Sequence, residues 1–518
     1  SKIPNVRRFL RVGAATVLFS AAIAAATPPI TPEDLLAHIK FLASDELKGR
    51  GNGSVGLEQA ANYIARQFEA AGLTPAGASD GWFQPFELQA GLTVGEGNTL
   101  VVRSETRSVT LNLADAYYPM SAPANDSPAL PSTNLAGVPL VFAGYGITAH
   151  GLSYDDYAGL DVDGKAVLIF SHEPQEHDRN SRLNGNQPVP ESSLYGKAMA
   201  ARNKGARVLI VVSDPTHQID EANYRTFGID PDAEDLGIPV LRARRDQLSA
   251  LILGWGLDRQ AALINNDLVP RSQPIAGARV DYRAFLTKRR RTVRNVVGIL
   301  PGADPVRGAE AVVLGAHYDH VGVGGRFSMN PDRTGEIHNG ADDNASGTAS
   351  IIEIARAAAA DPSRFPRTLV FVAFAGEERG LLGSAYYANN PPIPILNTVA
   401  MLNLDMMGRS RGSVDVSGLD MAPSLLADLN AAARVAGPIE IRHEGPGAGR
   451  SDDSSFIDRR VPGINFFTGF HSDYHRPTDD WQKVDAAGTA RVATLALEFA
   501  ARIAERRDRA EFVTPPRR

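Results

Sequence analysis

Four short apolar runs constrain this chain more than any other feature. They are AVVLG (Ala311–Gly315), TLVFVAFA (Thr368–Ala375), VAMLNL (Val399–Leu404) and GINFF (Gly463–Phe467). Continuous apolar runs rich in β-branched and aromatic residues, bounded by Gly and polar residues, read as strands buried on both faces. Helical stretches lie between them: ASGTASIIEIARAAAA after Asp342, and LLGSAYYA after Glu378. Strand–helix–strand alternation predicts an α/β fold with a mostly parallel central sheet and helices on both faces. Ligands of such sheets collect beyond the carboxyl ends of the strands. Each run delivers acid or imidazole there: His317 after the first, Glu377 and Glu378 after the second, Asp405 after the third, and His475 one loop beyond the fourth. Asp342 precedes a helix start and falls on the same rim.

These residue types suit a metal. Imidazole with carboxylate fits zinc and its neighbours, and the chain has no Cys to offer sulfur. A single catalytic zinc takes three protein ligands and water, fewer than this array supplies. Two metals about 3.5–4 Å apart need a shared carboxylate, and Asp342, set between glycines in NGADDNASG, is placed to approach both. Glu377 and Glu378 are neighbours whose side chains point apart in an extended segment. They are therefore expected to divide the work: one binds metal, the other faces water whose pKa a metal lowers to about 7.

The five segments, in this order, resemble the zinc aminopeptidase family that includes the secreted bacterial leucine aminopeptidases, with relatives in glutamate carboxypeptidase and glutaminyl cyclase. The resemblance spans residues 277–505. It implies two Zn2+ ions, held by His317, Asp342, Glu378, Asp405 and His475. Asp342 would bridge them, with Glu378 and His475 on one ion and His317 and Asp405 on the other. Glu377 would be the general base on a zinc-bridging water, Asp319 would orient the His317 imidazole, and Tyr474 would steady the oxyanion. Spacing alone does not choose Glu377 over Glu378 as base. One departure stands out: where the family often has Ser-Asp-His before a Phe, this chain has Ser451-Asp452-Asp453 before Phe456. The missing His bears on side-chain preference more than on metal binding.

The implied activity is hydrolysis of the N-terminal peptide bond of peptides with a free N-terminus. A carboxypeptidase or dipeptidase of the same family would need a cationic pocket, and no decisive Arg cluster is visible. A glutaminyl cyclase would use one zinc, and a receptor-like binding relative would have lost ligands. No P-loop or HExxH motif competes, and thiol chemistry has no Cys to run on.

The rest of the chain is organised around this centre. Residues 1–27 read as a secretory signal peptide, with Lys2, Arg7, Arg8 and Arg11 as the basic region, Val12–Ala26 as the apolar core and Ala24-Ala25-Ala26 before the cleavage site. The chain is thus expected to be exported, periplasmic or secreted, without stable membrane association once the signal is gone. The formal charge of −6 becomes −10 after loss of those four cations, which argues against nucleic acid as a partner. Residues 28–115 are expected to be the N-terminal part of the peptidase domain: a helix begins at Thr31-Pro32-Glu33-Asp34, a second helix ends at Gly72, and FQPFELQ and NTLVV form edge strands. Residues 116–276 change character and resemble a β-rich protease-associated insert, on the strand Gly164–Ile169 and the helix Lys197–Ala206. Residues 277–510 resume the peptidase domain, with Lys288–Arg291 read as a solvated basic turn, and 511–518 form a flexible tail.

Other acids and imidazoles near the motifs read more plainly. Asp343 is expected as a helix-start partner, His471 as a neighbour of His475, and His320 as at most a pocket-lining residue. His338 and His443 read as surface loop residues, and Asp452 and Arg450 as possible holders of substrate polar groups. The oligomeric state is not legible.

Overall fold

Alternate residues of the four apolar runs pack into opposite layers, which is why the runs are continuous rather than alternating. Val312, Leu314 and Ala316 face one core, and Ala311 and Val313 face the other; Leu369, Phe371 and Ala373 oppose Val370, Val372 and Phe374 in the same way. The computed structural model describes residues 29–126, 128–183, 185, 189–216, 235–249, 256–324, 327–329, 335–443 and 451–514; the expected signal segment and Arg450 lie outside them.

The four runs become the strands Thr368–Phe374, Ala311–His317, Thr398–Leu404 and Gly463–Phe467, adjacent in that order and all parallel. They form the middle of a nine-stranded mixed sheet. Antiparallel strands flank them: Leu286–Leu300 beside Thr368–Phe374, and Ser413–Ser417 beside Gly463–Phe467. The α/β expectation holds. Helices Pro32–Leu42, Val55–Ala70, Gly347–Ala360 and Ala486–Glu505 cover one face, while Leu382–Asn389 and Asp453–Ile457 lie on the other. Thr31 caps the first helix by accepting from the Asp34 amide at 3.1 Å, and Ser54 caps the second by accepting from Leu57. Gly347 opens the third where a Cβ would meet the carbonyl of Leu404 and Asn344, so glycine permits the close approach of helix to strand end.

A second, eight-stranded sheet has its own core, with Leu168, Phe170, Ile210 and Val280 among its buried side chains. Its strands run from Thr99–Arg103 to Gln273–Ala284, so they begin before the expected boundary at 116 and end after 276. Thr99–Arg103 pairs antiparallel with Gln273–Ala284, Val102 opposite Val280. A short amphipathic strand does not encode which sheet it will join, and NTLVV went to the second one. Lys288–Arg291 is not a turn either. It lies within Leu286–Leu300, paired with Phe83–Val94, and the chain passes between the sheets at Phe285. A long paired strand carries consecutive cations because their stems lie along it while the heads reach water. Among the described residues no helix is long and apolar enough to cross a membrane.

Candidate metal centre

Parallel alignment brings the ends of the four central strands to one rim. His317 is the last residue of Ala311–His317; its Nδ1 lies 3.2 Å from the Asp319 carbonyl. Its Nε2 faces Asp405 Oδ1 at 3.2 Å and Asp343 Oδ1 at 3.4 Å. On the other side, His475 donates from Nδ1 to the Phe327 carbonyl at 2.8 Å. Its Nε2 stands 3.1 Å from Glu378 Oε2 and 3.2 Å from Asp343 Oδ2. Because a carbonyl only accepts, each Nδ1 carries the proton and each Nε2 is turned to the acids. Two groups result, His317–Asp343–Asp405 and His320–Asp343–Glu378–His475, each with donor atoms within 4.8 Å of one another. Asp343 belongs to both.

The expected bridging residue was Asp342. Its Oδ2 instead contacts His471 Nε2 at 3.0 Å, and its Oδ1 accepts from the Gly408 amide, so it is turned away from both groups. Asp343 takes the central place because the chain there is extended (φ −105°, ψ 98°), after Gly340 in the left-handed region at φ 57°. Of two consecutive aspartates only one can face the rim, and nothing in the pair itself says which. His317, Glu378, Asp405 and His475 do come together, and Glu377 lies beside them with Oε2 3.9 Å from His317 Nε2.

Behind these side chains is a layer that the motifs did not mark. The Asp319 carboxylate sits 3.9 Å from His317 Nδ1, and the ring is met by the Asp319 backbone carbonyl instead. That carboxylate accepts from the amides of Glu377 (3.1 Å) and Glu378 (3.3 Å) and from Asn52 Nδ2 (2.6 Å), so it fixes the turn that presents the two glutamates. Asp479 accepts from the amides of Asp342 and Asp343 at 2.9 and 3.1 Å, and is itself held by Arg409 at 2.9 Å. Ser451 donates to Asp405 Oδ2 at 2.8 Å. Arg50, wholly buried, donates to the carbonyls of Tyr318, Leu42, Asn339 and Gly340. Arg50 and Asn52 come from a glycine-rich stretch far away in sequence, and only long-range contact reveals them.

The adjacent glutamates are electrostatically unlike. Burial pushes Glu377 well above the usual carboxylate range, with Glu378 and Asp405 adding to it and His317 opposing. Burial also acts on Glu378, but His475 and His320 overcome it and hold Glu378 well below that range. Burial opposes charge on His317 and His475 too; Glu377 and Asp405 at the first, and Glu378 and Asp343 at the second, raise both imidazoles well above their ordinary value. The surrounding carboxylates thus favour positive charge at both imidazoles. Tyr474 stacks on the His475 ring (3.9 Å, 25°), and burial together with the site carboxylates keeps its phenol protonated.

Several neighbours differ from expectation. His338 is fully buried, 2.7 Å from Ser328 Oγ, whereas His443 is exposed as expected. Asp452 and Asp453 are buried, and burial pushes Asp452 up to about 7.

The donor set fits zinc. Donors about 2.0–2.1 Å from a tetrahedral zinc lie about 3.3–3.4 Å apart, and the separations around His317 and His475 run from 3.1 to 3.4 Å. His475 Nε2 is buried and forms no aligned hydrogen bond despite two carboxylates beside it, as a metal-directed lone pair would.

Residues 295–500 match the model of Peptidase family M28. The chain is 31% identical over 233 residues to a probable zinc metalloprotease of Leptosphaeria maculans, covering 44% of this chain and 46% of that protein. It is 29% identical over 259 residues to leupeptin-inactivating enzyme 1 of Streptomyces exfoliatus, covering 49% and 54%. It thus spans about half the length of the curated relatives it matches. Its fold is similar to that of an aminopeptidase from Aneurinibacillus sp. strain AM-1, with a TM-score of 0.54 at 23% identity over 95% of this chain and 98% of that one. The segment 295–500, which matches this family model, carries every member of both donor groups.

Proposed function

We propose that this protein is an exported di-zinc metallopeptidase that removes the N-terminal residue of peptides. The observation that carries it is Asp343, one carboxylate whose two oxygens stand in two separate His/acid groups. Zinc bound there would polarise the scissile carbonyl and lower the pKa of a water to about 7. Glu377, beside the rim and raised by burial, takes a proton from the attacking water and passes it to the leaving amine. Tyr474 offers its hydroxyl to the developing oxyanion. The substrate α-ammonium pairs with the carboxylates. Arg50 and Arg409 are engaged with backbone carbonyls and with Asp479, so neither is turned to a substrate carboxylate, and this favours an aminopeptidase over a carboxypeptidase.

The test is a panel of aminoacyl chromogenic substrates with N-blocked controls. Free-amine compounds should be cleaved and blocked ones spared; the opposite pattern removes the aminopeptidase reading. Glu377→Gln should keep its zinc and lose about 10²–10⁴-fold in turnover. Near-normal turnover would transfer the base role elsewhere.

The export reading rests on residues 1–27, and N-terminal sequencing of material recovered outside the cytoplasm should find them removed. The sheet between Thr99 and Ala284 is read as the protease-associated insert, with a part in shaping substrate entry. Deleting it should alter preference among long peptides more than among single-residue chromogenic substrates.

A further inference from the structure

The two donor groups are unequal. His317, Asp343 and Asp405 offer three protein donors, whereas His320, Asp343, Glu378 and His475 offer four. His320 is 1% exposed, and its Nδ1 lies 2.8 Å from Glu378 Oε1 and 3.7 Å from Asp343 Oδ2. Its ring stands edge-on to that of His475 (82°, centroids 5.5 Å apart), and one ligand atom from each of His320, Asp343, Glu378 and His475 lies within 4.8 Å of the others. The fold makes room for it: Gly340 lies against the ring, where a Cβ would come within 2.6 Å of His320 Cγ. The His320 amide donates to the Arg50 carbonyl at 3.2 Å, which pins the backbone from outside the rim.

We propose that His320 is a fourth protein ligand, so that the two metal positions are functionally distinct. This rests on the metallopeptidase reading above. The His320 position is closed, with two imidazoles and two carboxylates. The His317 position has three protein donors and keeps a place for solvent or substrate. Four-donor closed sites are structural and three-donor sites catalytic. The ion beside His320 is accordingly the tighter and the first to load, and the ion beside His317 is the exchangeable one.

The test uses the full-length holoenzyme, dialysed against graded chelator. Metal content should fall in two steps, with hydrolysis lost in the first. X-ray absorption at the zinc edge of the singly loaded protein should count two imidazoles. In His320→Gln it should count one, and the tight step should weaken by more than the about 10–100-fold that losing an outer partner costs. A single imidazole in the singly loaded wild type overturns the proposal and makes His320 a hydrogen-bond donor that orients Glu378. Simultaneous release of both ions, unchanged in His320→Gln, overturns it as well. A wild-type protein that takes up no zinc defeats the metallopeptidase reading itself, a result distinct from either.

Discussion

Replacing Arg50 by Met tests whether the donor rim is braced from behind. The Arg50 guanidinium is fully buried and reaches Tyr318 O at 2.8 Å, Asn339 O at 2.8 Å and Gly340 O at 3.0 Å, as well as Leu42 O. These carbonyls belong to the end of the first helix, the turn after His317 and the loop before Asp343. Each buried acceptor left without a donor costs about 1–3 kcal/mol, so four orphaned carbonyls sum to roughly 4–12 kcal/mol before relaxation. Part of that returns, because burying the cation was itself unfavourable: burial lowers its pKa to about 10 against the pull of Asp343, Asp319, Asp479 and Glu378. A net loss of about 3–5 kcal/mol is expected, the range for breaking one side of a buried charged network. The metal-free protein should suffer more than the zinc-loaded one, since bound zinc replaces the lost positive charge beside the same carboxylates. Arg50→Lys, with three donors on one atom, should fall between. Urea unfolding followed by tryptophan fluorescence, with and without zinc, measures all three. The reasoning fails if Arg50→Met lies within about 0.5 kcal/mol of wild type, the range of an ordinary surface change.

Asp343→Asn should strip metal from both positions, while Asp342→Asn should retain it; metal analysis per chain decides, and an emptied Asp342→Asn protein would restore the original assignment. Ser451→Ala removes the donor to Asp405 and should weaken zinc binding by about 10–100-fold, read by competition with a chromophoric chelator; unchanged affinity would mean that Asp405 needs no such support. In the second sheet, burial pushes Asp156 up to about 7 from 3.8. Its folded pKa exceeds its unfolded one, so the folded state binds the extra proton between those values and stability falls as pH rises from about 4 to 7, by on the order of 3–4 kcal/mol. Asp156→Asn should flatten that slope in urea titrations across this window, and an unaltered slope would place its origin elsewhere.

Local pattern carried a good deal of this protein. The runs at Ala311, Thr368, Val399 and Gly463 announce strands because both of their faces are apolar, and acids or imidazoles at or beyond their ends announce a rim. That reasoning needs only near neighbours along the chain. It led to His317, Glu378, Asp405 and His475 lying together, as they do, but it did not choose between Glu377 and Glu378 as base.

What local pattern could not decide was orientation and partnership. Asp342 and Asp343 are chemically identical, and the choice between them was made by an extended backbone after Gly340 and by Asp479 gripping both amides from 136 and 137 positions away. Thr99–Arg103, expected at an edge, is an interior strand paired with both Ser108–Leu111 and Gln273–Ala284, partners that its own sequence does not name. Arg50 stands in an unremarkable glycine-rich stretch, yet it binds carbonyls up to 290 residues distant. Strand and helix identity follow from periodicity, which is a property of the chain. Which carboxylate faces a cation, and what holds it there, follow from contacts that exist only after the distant segments have met.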